Sequence, residues 1–266
     1  MSLTQRLLSH AGALDDLAGR QTSLRRLDAR AKLLVALAFV VVAASFGRAA
    51  FLRPLPLALY LAVIFALGQV PLSPVLRRVA LLSPFAVCVG LGDLLLQRAP
   101  ALRIGSWVLS EGAVSFAALL VRFLLCATAV FLLAATTRFA DVVEAMRRLG
   151  MPRVLATQLL LAHRYFFVLA EEAGRLARAH ALRSPSRGPG LRTGATLLTQ
   201  LLLRSLARAE RLHAAMACRG FDGRLTVAPP RRARLLDVAF VAGWSAFFVV
   251  VRAVDVPGAL GRALTP

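Results

Sequence analysis

The sequence predicts an all-α membrane protein of about five transmembrane helices plus long helices on the cytoplasmic side. Three observations carry that prediction. Hydrophobic residues make up 58% of the 266-residue chain, charged residues only 17%, and the mean hydropathy is +0.70. That balance favours lipid over water. Several apolar runs are longer than a soluble core of this size needs. The charge is also concentrated, because Arg138–Arg234 holds eighteen arginines against six acids and lies between apolar segments.

The chain opens with a mixed segment, 1–24, in which Leu3, Leu7, Leu8, Leu14 and Leu17 suggest a weakly amphipathic helix on the membrane surface. No cleavable signal peptide is expected there, since Asp15 and Asp16 interrupt it. From Arg25 to Lys32 four cations face one acid, the flank of a first span on its cytoplasmic side. Spans are expected at about 31–47, 55–70, 79–96 and 111–136, which makes residues 1–137 an N-terminal bundle. Pro71 and Pro74 break the chain after the second span, and Arg77-Arg78 mark the cytoplasmic side. Pro84 lies inside the third span, and the segment Gln97–Ser110 reads as a loop. Arg122 sits within the fourth span, where a cation needs a carboxylate or carbonyl partner.

Residues 138–233 form the basic region. A short amphipathic helix, Phe139–Leu149, stops at Gly150. A longer one runs from Pro152 to about Arg183, apolar in its first half and charged in its second, with a Glu171–Arg175 pair. Ser184–Gly190 turns the chain, and Leu191–Cys218 returns it to Arg219-Gly220, with glycine at the helix end. Residues 234–266 hold the last span, Leu235–Val251, and a short tail.

Several chemistries are excluded. Lys32 is the single lysine among 33 cations, and no glycine loop precedes it, so the chain has no Walker-type ATP site. Cys88, Cys126 and Cys218 show no CxxC spacing, and His10, His163, His180 and His213 show no metal-ligand spacing. A net charge of +20 would point to nucleic acid in a polar chain. Beside apolar spans it reads as positive-inside patterning, and no nucleic-acid partner is expected.

Two short motifs close the long helices: Leu182-Arg183-Ser184 and Cys218-Arg219-Gly220. A guanidinium makes forked, charge-assisted bonds to carboxylates and carbonyls, which suits docking into an acidic groove. Two such tips suggest two similar grooves, hence a dimeric partner.

These residues resemble a family. Leu27-Asp28-Ala29-Arg30-Ala31-Lys32-Leu33 is similar to the opening motif of the transmembrane T component of energy-coupling factor (ECF) transporters, with Ala29 where proline is usual. Thr136-Thr137-x-Phe139, Arg148-Leu149-Gly150-Met151-Pro152 and His163-Arg164-Tyr165-x-Phe167 also match. So does the run from Glu210-Arg211 through Ala215-Met216 to Cys218-Arg219-Gly220-Phe221-Asp222-Gly223, which looks most like the cobalt/nickel branch.

The resemblance implies a non-catalytic coupling subunit in the bacterial inner membrane, with its coupling helices cytoplasmic. Its implied partners are two ATP-binding cassette ATPases, a substrate-binding membrane S component and the lipid bilayer. ATP and Mg would be bound by the ATPases, with no cofactor or metal in this chain. Arg219 falls on the second docking motif, flanked by Cys218 and Gly220, and Arg183 on the first, flanked by Leu182 and Ser184. Arg187, in Ser186-Arg187-Gly188, is a rival for the first. Arg122, Asp28 and Arg30 are expected to serve the bundle's structure. Two alternatives from other classes are a membrane-embedded transferase or phosphatase and a stand-alone secondary transporter. The first needs clustered acids or a His/Ser pair, and the second needs inverted repeats with mid-membrane ionisable residues.

Overall fold

The computed structural model describes residues 27–47, 53–96, 100–104, 107–184, 190–223 and 234–253, without the side chains from 93 to 111. The readings of 1–24, Arg25, Arg26 and Arg187 lie outside the described residues. The described chain falls into two compact units, 27–138 with 234–253, and 139–223.

In the first unit, helix α1 spans Ala29–Ala44 and starts where the Asp28 carboxylate accepts the Arg30 N–H at 3.1 Å, an N-cap. Its buried positions include Ala31, Lys32, Val35, Ala36, Phe39 and Ala43, the spacing of one helix face. A 3₁₀ turn, Leu55–Leu57, leads into α2, Ala58–Gly68, which ends at Gln69 in the left-handed region. Helix α3 covers Leu72–Leu96, starting earlier than the expected span at 79. Pro74 does not break it, because a first-turn residue has no intrahelical N–H bond to lose. Pro84, deeper inside, frees the Ala80 carbonyl, and the Ser83 hydroxyl donates to that carbonyl at 2.8 Å.

The expected loop before the fourth span contains a hairpin, β1 (Pro100–Ile104) paired antiparallel with β2 (Trp107–Ser110). Helix α4 then covers Glu111–Thr136, and α8 covers Leu235–Ala253. The core lies among α1, α2, α4 and α8. The ring of Phe39 is 5.1 Å from that of Tyr60 and 5.7 Å from that of Phe248, the offset and edge contacts that aromatic rings prefer. Helix α3 packs on α4. Outward positions such as Leu37, Val41, Leu81 and Phe85 stay exposed, as expected of helices that are apolar all round.

Among the described residues four helices are long and apolar enough to cross a bilayer: Leu72–Gly92, Gly112–Thr136, Arg153–Arg183 and Leu235–Ala253. Helices α1 and α2 have 16 and 11 residues. At 1.5 Å per residue they reach roughly 24 and 17 Å, against a hydrocarbon core of about 30 Å.

The second unit is a set of three helices, α5 (Phe139–Arg148), α6 (Arg153–Arg183) and α7 (Leu191–Cys218). Helix α5 ends on Gly150 at φ +116°, where the Met151 N–H reaches back to the Met146 carbonyl at 3.1 Å, a Schellman closure. Phe139 stacks on His163 of α6 at 4.2 Å, which seats α5 on the longer helix.

Candidate functional site

The first tip is the C-terminus of α6. Leu182 is 86% exposed, and Arg183 is the last helical residue and exposed. Ser184 caps the helix through its backbone N–H, which donates to the His180 carbonyl at 3.0 Å. A cation in this last turn is held favourably by the negative end of the helix dipole.

The second tip closes α7. Gly220 has φ +72°, its N–H donates to the Ala217 carbonyl at 3.0 Å, and the Phe221 N–H donates to the Met216 carbonyl at 3.1 Å. Those two bonds make a Schellman motif with Gly220 at C′. Arg219 therefore sits at the cap itself, and Cys218, Arg219 and Gly220 are all exposed. Beyond the tip the chain folds back, and the Gly223 carbonyl accepts the Thr157 hydroxyl at 3.0 Å near the start of α6.

These contacts fix the geometry of the helix pair. Arg204 of α7 donates to Glu172 of α6 at 2.7 Å, while the end of α7 meets the start of α6 at Thr157. The two helices are antiparallel, so Arg183 and Arg219 lie at opposite ends of the pair. From the Glu172–Arg204 tie, the tips are about 17 and 22 Å away along their helices, which puts them roughly 35–40 Å apart.

Charge pairing separates the tips from the rest of the unit. Arg147 and Arg148 bond Glu144 at 2.7 and 2.6 Å. Their hydrogen bonds, Arg147's foremost, hold that carboxyl down at about 2. Arg175 pairs with Glu171 at 3.1 Å and with Glu172. Among the described residues, neither Arg183 nor Arg219 has an ion-pair partner.

The other singled-out residues lie in the first unit. Arg122 donates to the Gly47 carbonyl, the partner type a cation in a membrane helix needs. Asp28 caps α1, and its own N–H donates to the Asp237 carboxylate at 2.8 Å. Arg30 lies in the first turn of α1 with its Nε buried and, among the described residues, without a hydrogen-bond partner.

Two residues gain roles that sequence reasoning missed. Lys32, only 7% exposed, donates to the Thr136 carbonyl at the end of α4 at 3.3 Å. Asp237 accepts the N–H of Arg234 as well as that of Asp28, each at 2.8 Å. The available signals were a lone lysine in an arginine-rich chain and an acid at the third position of an apolar helix.

Residues 20–228 match the family model of the cobalt transport protein CbiQ, a stretch that takes in both tips and stops short of α8. The chain is 34% identical over 175 residues to the cobalt transport protein CbiQ of Rhodobacter capsulatus, covering 65% of this chain and 70% of that protein. It is 27% identical over 125 residues to an uncharacterized protein of Methanocaldococcus jannaschii, covering 45% and 46% of the two.

Proposed function

The chain belongs to the CbiQ cobalt transport protein family, and from that premise we propose that it is the membrane coupling subunit of an ECF-type importer for cobalt or nickel ions. Two partner ATPases bind ATP and Mg and hydrolyse the nucleotide. Arg183 and Arg219 dock one into each, and a substrate-binding membrane subunit captures the ion. Membership in the family makes the chain a membrane component of cobalt transport, and the division of labour among subunits is our reading. In it the stretch 138–233 is cytoplasmic, consistent with its seventeen arginines.

The observation that carries this reading is the pair of arginines at the two exposed helix ends, neither of them ion-paired among the described residues. Closure of the ATPase dimer on ATP would push on points roughly 35–40 Å apart. The antiparallel helices, tied by Glu172–Arg204 and Thr157–Gly223, would carry that push to the bundle as stiff rods.

The test is co-purification of the ATPases with tagged chain, alongside uptake of radioactive cobalt. Arg183→Ala and Arg219→Ala should each weaken ATPase capture and uptake while the protein still inserts in the membrane. Capture at the wild-type level by the double variant would remove the docking role. The purified chain reconstituted alone should show neither turnover nor flux.

A further inference from the structure

Between α6 and α7 lies a half-open slot of about 460 Å³, within the range of about 300–1,000 Å³ typical of small-molecule sites. It lies wholly within the second unit. Its walls are apolar and include Leu161, Leu169, Leu206, Leu212, Met216 and Phe221. Ser205 also lines it, but its hydroxyl is already donated to the Leu202 carbonyl at 2.7 Å. Tyr165 adds a phenol to a lining that is otherwise mostly apolar, so the interior asks its occupant mainly for contact area.

Shape and charge narrow the occupant. The Glu172–Arg204 ion pair at 2.7 Å lies toward one end of the slot, and the Thr157–Gly223 hydrogen bond at 3.0 Å toward the other. A helix from another protein would have to part those ties, whereas a slender hydrocarbon chain would not. At 100° per residue, Arg208 falls on one lip of the α7 wall and His213 on the other. Both line the slot, and among the described residues no acid does. Helix α7 carries a single acid, Glu210, against four arginines.

We propose that this slot holds one acyl chain of an anionic phospholipid, with Arg208 and His213 holding the phosphate. The two parts of the site reinforce each other, since a single buried chain binds only marginally and a cationic patch supplies the second signal. The site is independent of the docking reading, because neither tip arginine takes part in it.

Native mass spectrometry of the full chain in detergent tests it, with phosphatidylglycerol and phosphatidylcholine of identical chains as probes. Wild-type protein should retain phosphatidylglycerol by about fivefold over phosphatidylcholine, the scale expected for one arginine near an anionic headgroup. Ala209→Trp, which fills the slot, should lose both lipids. Arg208→Gln with His213→Gln should keep the chain but lose the preference, and these exposed changes decide the matter if the tryptophan variant does not fold. Equal retention of the two lipids by wild type, or full retention by A209W, overturns the proposal. A small aliphatic diazirine side chain in place of Met216, which lines the slot and is already of that size, should trap lipid in native membranes, and an adduct with another protein would equally overturn the proposal.

Discussion

The carboxylate of Asp237 accepts the backbone N–H of Asp28 at 2.8 Å, joining residues 209 positions apart. The same carboxylate accepts the N–H of Arg234. One buried acid, 6% exposed, thus satisfies the N-terminal ends of α1 and α8 together. It also places negative charge where both helix dipoles favour it.

Asp237→Ala should therefore cost about 1–3 kcal/mol, because two N–H donors lose a charged acceptor at once. Asp237→Asn, with one carbonyl oxygen left to accept, should fall between. Thermal unfolding of the detergent-solubilised protein checks the order, and an alanine variant as stable as wild type would show that the bond adds nothing.

Gly90 on α3 is a contact point rather than a turn. A Cβ there would lie 2.5 Å from the Phe116 ring on α4. Gly90→Ala should destabilise by about 1–3 kcal/mol through overpacking. Phe116→Leu in the same chain should recover part of the loss, which a double-mutant cycle reads as coupling between the two sites.

Gly220 tests whether the shape of the second tip matters as well as its charge. At φ +72° an alanine pays about 1–2 kcal/mol of backbone strain. Gly220→Ala should fray the last turn of α7 and weaken ATPase capture while Arg219 remains in place. Gly194, with no positive φ and open space around it, is the control: Gly194→Ala should leave capture unchanged.

The Glu144 carboxyl lies well below its ordinary value, at about 2, held there first by the Arg147 hydrogen bond. A carboxyl depressed on folding adds stability that is complete above its unfolded pKa of about 4.5 and fades as pH falls towards 2. Wild type should therefore lose more stability than Glu144→Gln between pH 4.5 and 2. Parallel melting curves for the two proteins across that window would show the interaction to be idle.

What the sequence made legible is what neighbours within a turn or two dictate. Helices α4 and α7 run from Glu111 to Thr136 and from Leu191 to Cys218, the bounds their apolar runs and the closing glycine of α7 predict. Gly150 and Gly220 stop their helices because only local backbone geometry is involved. Proline misled at Pro74, since a first-turn position tolerates what an interior one does not. The hairpin at 100–110 was illegible because its pairing carries no strong alternation of apolar and polar residues.

The sequence by itself determined a helical membrane protein, its arginine-rich arm and the two motifs at the arm's ends. Only the tertiary structure decided which face of each apolar helix is core. Helix α1 is apolar nearly all round, so no periodicity separates buried Phe39 from exposed Leu37. Nor could a linear reading pair Lys32 with Thr136 or Asp28 with Asp237. Such bonds form because a buried polar group must find a partner, and which partner is near enough depends on how the helices pack.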